Sequence, residues 1–181
     1  MTKKQRRLGA VGLLAIVLTV SCVTPNWVVQ AENIIQTSIP IVGGIAILVD
    51  PPLAPIVTLA TNGLNTVLNL LKQLQANPQT GTFNEINAAL ATVNSQLTQI
   101  MQTAQIKDPA TQQKVVAIIQ LVTQELATIQ QIVQANAPKT MMAKRGQMPP
   151  ASGPVPKLDP KGFKAKYNAI VRNDVRFALA R

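Results

Sequence analysis

Three stretches of this chain repeat apolar residues at alternating three- and four-residue steps, a spacing that places side chains on one face of an α-helix. The first runs Val57, Ala60, Leu64, Val67, Leu71, Leu74. The second runs Phe83, Ile86, Leu90, Val93, Leu97, Ile100, Ala104, and the third Val115, Ile119, Val122, Leu126, Ile129, Val133. A strand would need alternation at every second residue, which these stretches lack. Three stripes of one period predict three helices sharing a seam. Local chemistry marks their ends. Asn77-Pro78-Gln79-Thr80-Gly81 reads as a turn, Thr82 with Glu85 three residues on as a capping box, and Asp108-Pro109 as an N-cap followed by proline at the first helical position. Connections this short make consecutive helices antiparallel neighbours, so the expected fold is all-α, a small antiparallel helical bundle.

A more apolar stretch precedes the stripes. Residues Pro25 to Ser38 predict a short helix capped by Thr24, followed by Ile39 to Ala60, with Gly43-Gly44 in its middle and Asp50-Pro51-Pro52 breaking it. Apolar nearly all round, this segment must be buried somewhere. As a hairpin it can complete the core of the bundle. Alternatively it dips into a bilayer as a re-entrant or pore-forming element, where its prolines and glycines would need partners for the freed backbone groups.

After the third stripe, Pro138 stops the helix and residues 138–158 have linker composition. Asp159-Pro160 then repeats the cap-plus-proline start, and Phe163, Tyr167, Val171, Val175 and Leu179 follow at four-residue steps with Ile170 beside them. Lys161, Lys164, Lys166, Arg172 and Arg176 take other positions, which predicts a basic amphipathic helix over 159–181. Such a helix either lies on an anionic surface or packs its apolar stripe back on the bundle.

Charge divides the chain in the same places. From Cys22 to Pro138 there are three basic residues (Lys72, Lys107, Lys114) against five acids (Glu32, Asp50, Glu85, Asp108, Glu125). From Lys139 to Arg181 there are ten basic residues against Asp159 and Asp174. The net charge of +10 therefore belongs to a nearly neutral body with basic ends.

The other basic end is Lys3, Lys4, Arg6 and Arg7, followed by an apolar run from Leu8 to Val20 and then Ser21-Cys22. Thirteen residues of helix rise roughly 20 Å, short of a hydrocarbon core about 30 Å thick, so the run reads as an export signal over 1–21. Leu18-Thr19-Val20-Ser21-Cys22 resembles the lipobox of bacterial lipoproteins, with Thr19 standing where leucine is preferred. The resemblance covers Met1 to Cys22 only. It implies cleavage before Cys22, acylation of that cysteine, and a place in the bacterial cell envelope. Val23, which is not the aspartate tied to inner-membrane retention in such proteins, implies the periplasmic face of the outer membrane where a cell has two membranes. Three other readings stand beside it: cleavage after Ala31, an uncut signal anchor, and Cys22 as a small buried hydrophobe. As the chain's single cysteine, Cys22 cannot form an intramolecular disulfide.

Nothing in the composition points to catalysis. The chain has no histidine, the usual base and neutral metal ligand near pH 7. Its carboxylates form no pair at helical spacing, and Gly43-Gly44 lacks the remainder of a phosphate-binding loop. Neither an enzyme, a metal site nor a cofactor is expected. Glu125 is read as solvated, the alternative being a buried polar residue that fixes helix register, and Trp27 as packed in the bundle or set near headgroups. The outer faces carry amides (Gln96, Gln99, Gln102, Gln105, Gln112, Gln113, Gln120, Gln124, Gln130, Gln131, Gln134) in place of charge, which suits a solvated face or a homo-oligomer, since amides cost less to desolvate than ions. The expected partners are the membrane through a lipidated Cys22, and an anionic lipid or cell-wall polymer through the basic tail. No nucleic-acid motif is present. The resulting expectation is an envelope lipoprotein with a structural or interaction role, the alternative being a membrane-active protein that inserts residues 39–60.

Overall fold

The computed structural model describes residues 25–49, 51–77, 80–104, 106–137 and 156–172, with Asp174, Arg176, Phe177 and Ala180. Among the described residues there are five α-helices and no strand: α1 Asn26–Ile45, α2 Ala54–Ala76, α3 Thr80–Thr103, α4 Pro109–Asn136 and α5 Pro160–Val171, with a 3-10 turn at Pro51–Leu53 before α2. The fold is the expected all-α bundle. Residues 1–24, on which the expected export signal and Cys22 fall, and residues 138–155 of the expected linker lie outside the described residues.

The stripes account for the packing. From Val57 to Leu74, from Phe83 to Ile100 and from Val115 to Val133, each stripe residue is buried in one continuous core; Ala104, just past the end of α3, is half-buried against it. The seam is shared by four helices. Helix α1 packs on α2, α2 on α3, α3 on α4, and α4 on α1, closing a ring. Gln75 Nε2 near the end of α2 donates to Glu32 Oε1 near the start of α1 at 2.6 Å, which fixes the antiparallel sense of that pair, and Gly63 of α2 lies against Val93 of α3, each about midway along its helix. At Gly63 the two helices come so close that a Cβ would sit 2.5 Å from Val93 Cγ2. The helices satisfy many of their own polar side chains. The hydroxyls of Thr37, Ser38, Thr58, Thr61, Thr66, Thr92, Thr98, Thr103 and Thr128 each donate to the carbonyl four residues back.

The structure departs from the sequence reading in three places. First, α1 does not stop at Ser38 but continues through Pro40 to Ile45, which puts Gly43-Gly44 in its last turn and not in the middle of a hairpin. Pro40 is exposed, so the carbonyl its missing N–H would have bonded faces solvent, while Ile41, Val42 and Ile45 beyond it are buried. The cap position is held by Pro25 with no side-chain bond; Thr24 lies outside the described residues. Second, α3 begins at Thr80, so Thr82 rides inside the first turn, buried, and is not the cap. Third, the tail helix ends at Val171, not near Arg181, because Arg172 takes an extended conformation (φ −49°, ψ 130°) and the chain turns back. Residues 39–60 enter the core, the first of the two dispositions expected for them: Ile41, Val42, Ile45, Val49, Leu53, Val57 and Ala60 are all buried.

Candidate functional site

The basic tail is the part of the body whose sequence pointed to a partner. Asp159 starts α5, its carboxylate accepting from the Gly162 amide at 2.9 Å, with Pro160 at the first helical position, as the sequence led one to expect. From there Phe163, Tyr167 and Val171 fall on one face and are buried, with Ile170 half-buried beside them. That face sits on α4 and α1, so of the two dispositions open to an amphipathic tail the chain takes the one packed on its own bundle. Leu158, just before the helix, and Phe177, after it, are buried as well. Val175 and Leu179 lie outside the described residues.

Polar contacts frame this apolar patch. Past α5 the chain turns through bonds from the Asp174 amide to the Val171 carbonyl and from the Phe177 amide to the Asp174 carbonyl. Asn168 then clasps the returning backbone, its Oδ1 accepting from the Ala180 amide at 2.9 Å and its Nδ2 donating to the Ala180 carbonyl at 3.1 Å. Asp174, whose side chain is 6% exposed, receives Lys114 Nζ of α4 at 2.8 Å and a two-pronged Arg176 guanidinium, Nε at 2.9 Å and Nη2 at 2.8 Å. The Arg176 bonds, then the Lys114 bond, hold the Asp174 carboxyl far below the usual carboxylate range. Arg176 Nη2 also comes within 3.9 Å of Asp108 Oδ2. That carboxylate caps α4, accepting from the Thr111 amide at 3.1 Å and from the Thr111 hydroxyl, and those bonds lower its pKa.

Glu125 is the residue sequence reasoning misplaced. Expected in solvent, it is half-buried on α4, near Lys166 and Asp159 of the tail. Desolvation pushes its carboxyl up; Lys166 opposes that push and Asp159 adds to it. Its spacing within α4 carried no sign of this, because a helix packed on three neighbours buries more than its central stripe. Glu32 behaves alike: burial raises its pKa against the bond from Gln75 and the charge of Lys72.

The five basic residues singled out in the tail are therefore not equivalent. Lys161, Lys166 and Arg172 are exposed and Lys164 is half-buried, so α5 turns a basic outer side to solvent. Lys166 lies on the flank facing Glu125. Arg176 is not on the helix at all, and its guanidinium is occupied by Asp174. Cys22, the expected lipid site, is outside the described residues.

The described carboxylates Glu32, Asp108, Asp159 and Asp174 each hold a cap, an amide or an ion pair within the fold. Among the described residues no three histidine, cysteine or acidic side chains come together in a group able to hold a metal ion. A shallow depression of about 390 Å³ lies where the turn after α1 meets the start of α4, lined by Ile47, Leu48, Ile106, Lys107, Asp108, Thr111 and Arg176. Helix α4 is long and apolar enough to cross a membrane, with 44% of its most apolar window buried in the bundle. Comparison with protein-family models, with curated proteins and with solved structures finds no match.

Proposed function

We propose that this protein is a lipid-anchored component of the bacterial cell envelope that acts by holding and presenting a helical bundle, without catalysis. The observation that carries the reading is the join between leader and body. Only Val23, Thr24 and Pro25 separate Cys22 from the first residue of α1, a reach of at most about 14 Å, and the body that follows buries its own apolar stripes. A membrane tether and a self-sufficient core are what such a chain would need. Two or three acyl chains, at about 0.8 kcal/mol per buried CH₂, would hold it on the bilayer essentially for good. In a cell with two membranes its place would be the periplasmic face of the outer one.

The exposed side of α5 supplies the second contact. Lys161, Lys164, Lys166 and Arg172 would meet lipid headgroups or an anionic wall polymer, each charge contributing roughly 1 kcal/mol near an anionic membrane and less as salt rises. Mass spectrometry of the mature N-terminus tests the anchor: an acylated Cys22 is expected, and an unmodified chain beginning at Glu32 would overturn it. Replacing Cys22 with Ser should move the protein from the membrane to the soluble fraction. Flotation of that Cys22→Ser chain with anionic vesicles tests the tail, with binding expected at low salt and lost when Lys161, Lys166 and Arg172 become Ser.

One observation favours the membrane-active alternative. Ile47, at the turn between α1 and the 3-10 segment, is 77% exposed, an apolar tip on a segment whose other large side chains are mostly inside. Insertion of residues 39–60 would require Ile41, Val42, Ile45 and Val57 to leave the core. Dye leakage from vesicles that disappears in Ile47→Ser would support that reading; no leakage from the unaltered chain would remove it.

A further inference from the structure

Among the described residues the bundle is electrostatically two-sided. The side formed by α4, α5 and the turn after it carries Lys114, Glu125, Lys161, Lys164, Lys166, Arg172, Asp174 and Arg176. The opposite side, formed by α2 and α3, has only Lys72 and Glu85 over 47 residues. We infer that the outer face of α2 and α3 is a self-association surface on which a second copy of this chain packs side by side, α2 of one copy against α3 of the other.

Three features support this occupant. The face is chemically suited to losing water. Leu59 (54% exposed) and the exposed Asn62, Thr66, Ala88, Thr92 and Ser95 lie on it, and the hydroxyls of Thr66 and Thr92 already donate to their own helix, leaving methyl groups outward. Burying such a face desolvates hydroxyls, amides and one carboxylate near its end, Glu85, which costs less than desolvating a densely charged face. Its size is adequate. Helices of 23 and 24 residues run about 35 Å, and two side by side present roughly 700 Å², close to the ~800 Å² per partner of a stable interface. Charge then disfavours the other ways two copies could meet. Two basic α5 sides repel, so copies meeting through α2 and α3 keep those sides apart. Glu85, in the second turn of α3, lies near one end of the face.

Symmetry fixes the pairing. A two-fold axis parallel to the helices sets α2 opposite the partner's α3, whereas an axis across the helices sets α2 opposite α2. The parallel case is the one that lets both copies be anchored in one membrane, so this detail rests on the lipoprotein reading; the choice of face does not. The Gly63 to Val93 contact puts Thr66 and Thr92 at nearly one level along the bundle.

The test uses the full-length chain in detergent. Sedimentation should show a dimer. Thr66→Lys and Thr92→Glu should each weaken self-association at least tenfold with unchanged circular dichroism. Mixing the two variants should restore the dimer, since the introduced ammonium on one copy's α2 then meets the introduced carboxylate on the other copy's α3. A photo-crosslinking residue at Thr66 or Thr92 should give a band of twice the chain mass, absent from Gln120 and Ala165. A monomer at every concentration, a dimer indifferent to both substitutions, or crosslinking equal at all four positions would overturn the surface. Dissociation of each variant with no recovery on mixing would overturn the α2-to-α3 pairing, while leaving the mass-spectrometric test of Cys22 untouched.

Discussion

At the scale of single residues, two glycines of the same composition have opposite roles. Gly63 lets α2 reach α3, and Gly63→Ala should lower stability by about 1–3 kcal/mol in urea unfolding, because the new methyl meets the buried Val93 side chain and not open space. Gly44, in the last turn of α1, has nothing within 4 Å of where a Cβ would stand, so Gly44→Ala should stabilise by about 0.4–1 kcal/mol through lost unfolded-chain entropy. Glu125 makes a pH-dependent prediction. Its folded pKa is raised above the roughly 4.3 of an unfolded chain, so the folded state binds the proton more tightly and stability falls as pH rises through the folded value. Glu125→Gln should therefore have the higher Tm at pH 7, with the difference narrowing as pH falls towards about 4. Asp174 has the contrary sign. Its folded pKa is depressed, so its contribution is complete above the unfolded value and disappears only as strong acid protonates the folded carboxylate.

At the scale of elements, α5 is a helix held by one apolar face and a frame of polar bonds. Phe163→Ala should cost about 3 kcal/mol of docking, and hydrogen exchange should show protection lost across 160–171 while α2 and α3 keep theirs. Asp174→Asn, which removes the charge that Lys114 and Arg176 share, should loosen the same segment in a salt-independent way, whereas the unaltered contact should weaken with salt. The helices themselves were legible in the sequence wherever a periodic stripe met a capping residue: Asp108 and Asp159 behave as caps, and the stripe residues of α2, α3 and α4 are core. What escaped was set by tertiary contact. Pro40 and the glycine pair looked like breaks, yet burial of Ile41, Val42 and Ile45 carries α1 past them. The end of α5 was equally hidden, because the four-residue pattern runs on to Leu179 while Asn168 and Asp174 turn the backbone at Arg172.

At the scale of the whole molecule, four helices close a ring and the fifth lies across the α1 and α4 side of it. Helix α1 spans about 30 Å, so the turn bearing Ile47 lies at the opposite end of the bundle from Asn26. If Cys22 anchors the chain, Ile47 and the depression beside it should face away from the membrane; a fluorophore at an Ile47→Cys site in otherwise native, acylated protein should then show little quenching by lipid-borne quenchers. The basic residues of the tail were visible in composition, but which of them face outward was not. That depended on the docking of α5 against α4 and α1 and on Arg176 being taken up by Asp174.

The docked α5 has a kinetic corollary. Joined to α4 through residues 138–158, it behaves as a tethered ligand at an effective concentration of roughly millimolar. Even micromolar intrinsic affinity would keep it seated, and dilution would not release it. Cutting the chain between Pro138 and Val155 would turn that occupancy into an ordinary bimolecular equilibrium, which a synthetic peptide spanning Pro156 to Arg181 could measure directly.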